Sequence, residues 1–376
     1  MRGGTSKGII VRRDDLPLDA VARDRVLLAL LGSPDRRQID GLGGADPLTS
    51  KVAIVAAPAS ASADIEYTFG QVSIVERKVD YAGYCGNVLA AVAQYAVTER
   101  YVQVPTGADM ARVRVHVTNV GRTVIADVPL VDGAPAENGG YEIAGVPGSG
   151  APIRLDFSDT VGSITGRLLP SGRAVDHIDV PGLGQVAFSV VDAGNPMIFI
   201  AASAFGLNGH EGPDDLDSQE KLIAMLEDIR VRVGASYGIA GPDGQPSENI
   251  PLVALVSPPA TYTTYEGNTA IHAATMDFCS REFFRARLHK AYGVGETVCT
   301  AAAALMPETV VGQMVAPHAQ GRGGVRFGHP SGVIEVETDC EWTAGSIEPN
   351  IRTIALYRTA RLIMEGSASI PTNATL

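Results

Sequence analysis

Cys85-Gly86-Asn87-Val88-Leu89-Ala90-Ala91-Val92-Ala93-Gln94-Tyr95-Ala96-Val97-Thr98 carries no charge, and from Val88 onward no turn former. A helix apolar on all sides belongs inside a protein rather than on its surface. Its N-terminus then presents backbone N–H groups without intrahelical partners, and the positive end of the helix dipole, where water is scarce. Such a mouth binds anions and favours the thiolate of a cysteine placed there. Two readings follow for Cys85. It is a structural thiol ahead of a core helix, or it belongs to an acid–base centre acting on a carboxylated substrate.

Working outward, Gly8 to Arg12 and the apolar run Lys51 to Ala56 read as strands, and Ile65 to Val75 as two strand segments. Ala20 to Leu31 has helical spacing, stopped by Gly32-Ser33-Pro34. Val113 to Val117 and Arg122 to Val128 alternate around Thr118-Asn119-Val120-Gly121, a hairpin pattern. The second half repeats the theme. Gln185 to Val191 and Met197 to Ala201 are strands flanking Gly194-Asn195-Pro196, Gln219 to Val233 is an amphipathic helix, and Leu252 to Val256 is a buried strand. Arg281 to Ala291 reads as a helix carrying His289 and Lys290. Gly293-Val-Gly-Glu-Thr-Val298 leads into a second uncharged helix, Cys299 to Met306, closed by Pro307, and strands follow at 324–327, 333–337 and 351–357. Laying the halves over each other sets Cys85-Gly86-Asn87-Val88 against Val294-Gly295-Glu296-Thr297. The expected fold is α+β, with two like domains each wrapping strands around one hydrophobic helix.

The chain has 376 residues, 45% hydrophobic and 19% charged, the composition of a compact globular enzyme. Its net charge of −12 argues against nucleic acid or an anionic membrane surface as partner, yet leaves room for a cationic pocket holding a small anion. Cys85, Cys279, Cys299 and Cys340 show neither metal spacing nor a disulfide framework, which suits a reduced, cytoplasmic protein. No stretch has the apolar length of a membrane span and no signal peptide leads the chain. A functional-looking loop at Met1 with no strand before it suggests that residues upstream are missing from this numbering. His116, His177, His210, His272 and His318 lack ligand spacing, so no metal is expected. Gly293-Val-Gly-Glu-Thr-Val298 lacks the third glycine of a dinucleotide loop, and no nucleophile elbow is present, so no cofactor is expected.

Three loops can carry chemistry. In Gly3-Gly4-Thr5-Ser6-Lys7-Gly8 the glycines admit a ligand to the backbone, and Thr5 and Ser6 offer hydroxyls. In the loop 41–52 Lys51 opens an apolar strand; partial desolvation there favours the neutral amine, a usable base, whereas a solvated strand end leaves an ordinary lysine. The third loop is Cys85-Gly86-Asn87. In the second half, Gly194-Asn195-Pro196 is a turn or a donor site, His289-Lys290 an anion clamp or a helix surface, and Gly328-His329-Pro330-Ser331-Gly332 a carboxylate donor or a hairpin turn.

Together these segments resemble the PrpF family of 2-methylaconitate cis–trans isomerases, which is related to methylitaconate Δ-isomerase and 4-oxalomesaconate tautomerase and shares the diaminopimelate epimerase-like fold. The resemblance rests on Met1 to Gly8, Gly32 to Asp35, Gln38 to Gly41, Gly43 to Asp46, Leu48 to Lys51 and Tyr81 to Asn87. It continues through Leu288 to Tyr292, Arg326 to Gly332 and Ala360 to Gly366, in order along nearly the whole chain. It implies two pseudo-symmetric domains, each a curved sheet or barrel around its central helix: residues 1–180, completed by 358–376, and 181–357. It also implies a site in a cleft between them, with both helix N-termini facing substrate carboxylates. The family's catalytic serine, lysine and cysteine fall on Ser6, Lys51 and Cys85. Thr5, Gly86, Asn87 and Asn195 would bind substrate, with Lys290 and Ser331 on a distal carboxylate. Tyr84 stands where family members commonly have Asn, and Val294 where the epimerase relatives have a second cysteine, which disfavours two-thiol racemisation. The implied partner is a small anionic di- or tricarboxylate and the implied activity a cofactor-independent allylic isomerisation, with homo-oligomerisation left open. A non-catalytic carboxylate-binding protein on the same fold is the competing class.

Overall fold

The computed structural model describes residues 1–240, 244, 247–267, 269–317 and 323–371; His318 and residues 372–376 lie outside them. The chain forms two compact units, Met1–Leu155 with Tyr357–Leu376, and Asp156–Leu356. These divisions differ from the expected 180/181 and 357/358 for a pairing reason. The Asp176–Val180 strand is hydrogen-bonded to Gly184–Val191, which holds it in the second unit. In the first unit the returning Ala360–Arg361 strand pairs with Arg2–Gly3.

The same strand sequence recurs in both units. In the first, Ser6–Arg12 runs parallel to Lys51–Ala56, with the helix Ala20–Leu31 between them in sequence. Lys51–Ala56 pairs antiparallel with Ile65–Val72, which pairs parallel with Met110–Val117, and that strand closes an antiparallel hairpin with Arg122–Val131. The helix Gly86–Thr98 lies in sequence between Ile65–Val72 and Met110–Val117. In the second unit Met197–Ala201, Leu252–Ser257, Phe278–Phe284, Gly324–His329 and Gly332–Glu341 pair in the same parallel, antiparallel, parallel, antiparallel order. Glu220–Ser236 takes the place of the crossover helix and Val294–Ala304 that of the central helix. Parallel neighbours cannot be joined by a tight turn, so each unit needs those two helical crossovers.

Both central helices are buried as their composition demands. All of Gly86–Thr98 except Tyr95 and Thr98 is buried, and Val294 to Ala303 is buried without a gap. Ala20–Leu31 starts on the Asp19 carboxylate, which accepts from Ala22 N at 2.8 Å, and ends at Gly32 in the left-handed region (φ 74°). Its Leu27 and Leu31 pack with Leu16, Val52, Ile54, Val72 and Val79.

Three expected elements differ. The second central helix runs Val294–Ala304 rather than Cys299 to Met306, so it takes in Glu296 and is not uncharged. Arg281 to Ala291 is not a helix: Arg281 to Phe284 completes the strand Phe278–Phe284, and Arg285 and Ala286, at φ 51° and 57°, turn it back to Arg287–Leu288. Five backbone pairings to Leu252–Ser257 and burial on both faces outweigh the local helical spacing. Ile65 to Val75 is one strand that stops at Val72, with the short Val79–Asp80 folding back upon it. Among the described residues no helix is long and apolar enough to cross a membrane.

Because Leu89 is fully buried in the central helix, Leu89→Ala is expected to lower stability by about 2–5 kcal/mol. The shift of the urea unfolding midpoint measures it, and a midpoint within error of the parent would show that this helix is not a packed core element.

Candidate active site

The first unit gathers Ser6, Thr5, Lys51, Cys85, Gly86 and Asn87 around the start of its central helix. Cys85 is the N-cap residue, and its side chain makes no capping bond. The thiol instead stands 3.8 Å from the Ser6 hydroxyl, a sulfur–oxygen hydrogen-bond distance. Ser6 opens its strand at 2% exposure while Cys85 is half-buried. The Cys85 carbonyl accepts from Leu89 N at 3.1 Å and from the Tyr67 hydroxyl at 3.2 Å, which fixes the N-cap backbone. Burial raises the Tyr67 phenol well above its usual range, keeping it an O–H donor.

Lys51 is 5% exposed, so the sequence reading of a desolvated strand-end amine describes its setting. Its Nζ donates to Gln71 Oε1 at 2.7 Å and lies 5.3 Å from the centroid of the Phe69 ring. Gln71 is its cross-strand partner in register, and Gln71 Nε2 donates to the Pro47 and Ser50 carbonyls, so the amide is held with its oxygen toward the lysine. Tyr67, Phe69 and Gln71 alternate along one face of one strand. That face supports both the Cys85 backbone and the Lys51 amine. Gly8, paired with Lys51, gives the other link: a Cβ there would lie 3.4 Å from Val88 Cγ2 in the helix's first turn.

The N-terminal loop approaches that first turn closely enough to require glycine. A Cβ at Gly4, whose φ is +49°, would fall 1.9 Å from Asn87 Oδ1, and one at Gly3 would fall 2.3 Å from the Asn87 carbonyl. Thr5 N donates to Asn87 Oδ1 at 3.2 Å, while the buried Thr5 hydroxyl has no hydrogen-bond partner among the described residues. Asn87 Oδ1 accepts a second donor that the sequence reading missed, Arg358 Nε at 3.2 Å. Burial pushes the Arg358 guanidinium down to about 10, which leaves it cationic at neutral pH. Gln71 had a legible signal, a polar residue ending an apolar period-two face; Arg358, far along the chain, had none. Tyr84 is buried beside Cys85.

The second central helix is finished differently. Glu296, in its first turn, folds back so that its carboxylate fills the space over Gly293, where a Cβ would meet Oε2 at 1.9 Å. Gly293 N donates to Glu282 Oε2, and Asn195 Nδ2 donates to Glu296 Oε1, both at 2.8 Å. Asn195 therefore meets a carboxylate of its own unit. Counted from the helix start, Gly293 rather than Val294 holds the place of Cys85. Lys290 is exposed in an irregular segment, and its carbonyl accepts from Ser331 Oγ at 2.6 Å, so these two residues adjoin. His289 is buried, with Nδ1 accepting from Ala291 N. Among the described residues no three His, Cys, Asp or Glu side chains cluster as metal ligands.

Residues 1–371 match the family model described as PrpF protein. The chain belongs to the PrpF family. It is 42% identical over 369 residues to 3-methylitaconate isomerase of Eubacterium barkeri, covering 97% of this chain and 94% of that one. It is 36% identical over 390 residues to 2-methyl-aconitate isomerase of Shewanella oneidensis, covering 99% and 96%. The crystal structure of methylitaconate-delta-isomerase superposes with a TM-score of 0.81 at 40% identity, over 100% of this chain and 95% of that chain. A probable proline racemase from Agrobacterium radiobacter K84, at TM-score 0.55 and 14% identity over 100% and 94% of the two chains, shares the fold. This PrpF protein is thus an isomerase with a diaminopimelate epimerase-like α+β fold.

With Asn87 Oδ1 only 1.9 Å from the Cβ position at Gly4, Gly4→Ala must displace the loop or the amide. Its expected effect is loss of about tenfold or more in kcat/KM, since misplacement of about 1 Å costs that much or more. Steady-state kinetics with the best substrate checks it, and full activity in a folded Gly4→Ala protein would show that the close approach is incidental.

Proposed function

We propose that this isomerase is cofactor-independent and transfers an allylic proton on an unsaturated di- or tricarboxylate such as 2-methylaconitate or aconitate. The observation that carries the reading is the buried Lys51 amine on Gln71, in the unit whose helix mouth holds the Ser6–Cys85 pair at 3.8 Å. Lys51 takes the proton from the carbon allylic to the alkene. The C–H electron pair enters the conjugated system as a dienolate, whose charge spreads onto the carboxylate. Rotation or bond shift then precedes return of one proton to carbon, from Lys51 or from Cys85 as partner acid, and no atoms are gained or lost. Thr5, Ser6 and the Gly86 and Asn87 amides anchor carboxylates as charge develops, the electrostatic part of such catalysis.

A second reading, double-bond shift on methylitaconate, draws support from the 42% identity to the Eubacterium barkeri enzyme. Tautomerisation of 4-oxalomesaconate uses the same proton chemistry. A carboxylate-binding protein without catalysis would be stabilised by tricarboxylates yet incorporate no solvent proton.

Incubation in deuterated water with 2-methylaconitate, aconitate, methylitaconate and oxalomesaconate, followed by NMR, is expected to show deuterium entering one of them. Lys51→Ala should lower that exchange by about 10²–10⁴-fold, the usual contribution of a positioned base. Undiminished exchange in Lys51→Ala would remove it from this role.

A further inference from the structure

We infer that Arg358 is a positioning residue for substrate binding: through Asn87 it turns an amide N–H₂ into the mouth of the central helix. This rests on the carboxylate-anchoring role proposed for Asn87.

Two N–H donors, Thr5 N and Arg358 Nε, converge on one oxygen of the Asn87 side chain, each at 3.2 Å. Only a carbonyl oxygen can accept both, so the amide orientation follows from hydrogen-bond chemistry. The opposite branch, Nδ2, donates to none of the described residues and is not among their buried unpartnered polar atoms, so it keeps contact with solvent although Asn87 as a whole is 2% exposed. An amide donor held in one orientation at a helix N-terminus, with its N–H₂ left open, is arranged for an acceptor that arrives with the ligand. Gly3 and Gly4, where an added Cβ would meet the Asn87 carbonyl and Oδ1, let the N-terminal loop lie directly against this residue.

Arg358 is itself an unusual support. It is 4% exposed, and its NH1 donates to the Tyr357 carbonyl at 2.8 Å. No carboxylate among the described residues pairs with it. A buried cation that only held the fold together would be costly without a counter-ion, and an apolar chain of similar size usually serves stability as well or better. Retaining the guanidinium makes sense where an anion completes the charge balance. Arg358 thus supplies orientation through Nε and a fixed positive charge beside the Asn87 amide, without touching the reacting atoms.

The test compares the parent, Arg358→Met, Arg358→Lys, Asn87→Ala and the Asn87→Ala/Arg358→Met double variant. It measures KM and kcat for deuterium exchange, carboxylate Kd by calorimetry and Tm. Arg358→Met is expected to raise KM and Kd by about tenfold or more, the worth of one charge-linked hydrogen bond. Its kcat should change less, and its Tm should hold or rise. Arg358→Lys, which keeps the charge and one donor, should recover part of the affinity and carries the test should the methionine variant not fold. The double variant should be no weaker than Asn87→Ala alone, because both changes remove one device. Unchanged KM and Kd in folded Arg358 variants, or effects that add in the double variant, overturn the assignment while leaving the isomerase reading intact. A parent that neither binds nor exchanges any of the four acids overturns both.

Discussion

Burying the Gly86–Thr98 helix on every side removes water from first-turn amides that have no partners within the helix, and the first unit is organised around that cost. The cap residue offers a thiol in place of a capping oxygen, so the amides keep their capacity to bind an anion. What surrounds them holds the mouth open. Tyr67 grips the Cys85 carbonyl, and Gly3 and Gly4 bring the N-terminal loop within touching distance of Asn87. Thr5 and Arg358 fix the Asn87 amide from the side. A packed core helix is usually a matter of stability; here its packing also creates the electrostatics of the site.

The two units share one strand order and one placement of helices, yet they finish their central helices in opposite ways. In the first, residues after the cap are Gly86 and Asn87, neutral and with amides to spare. In the second, Glu296 places a carboxylate over its own N-cap, with Asn195 and Glu282 around it. A negative charge at that end satisfies the dipole from within. One fold repeat therefore yields one helix mouth ready for an external anion and one already supplied with an internal one. No thiol stands at the second mouth, where Gly293 holds the N-cap place.

How legible this was depended on how local each cause is. The uncharged helix after Cys85, the Ala20–Leu31 boundaries and the hairpin around Asn119 follow from spacing, caps and turn residues within a few positions, and the structure has them. Lys51 at the head of an apolar strand was readable as a desolvated amine, but the Gln71 oxygen that holds it depends on strand register. Arg281 to Ala291 misled because helical spacing was the only local signal there, while the deciding force was pairing to a strand about thirty positions earlier. Arg358 was unreadable for the same reason at longer range: it reaches Asn87 across 271 positions of sequence.

The sequence by itself determined that the chain would wrap strands around two largely apolar helices, that one helix would begin at Cys-Gly-Asn, and that the loops carrying Ser6, Lys51 and Cys85 could hold chemistry. Hydrophobic patterning and loop chemistry are local enough to carry that much. Only the tertiary structure decided which polar groups those residues meet: the hydroxyl beside the thiol, the amide that holds the amine, the guanidinium behind Asn87, and the glutamate that closes the second helix. Hydrogen bonds need donors and acceptors placed to within a fraction of an ångström, and for residues far apart in sequence only the folded packing sets that distance.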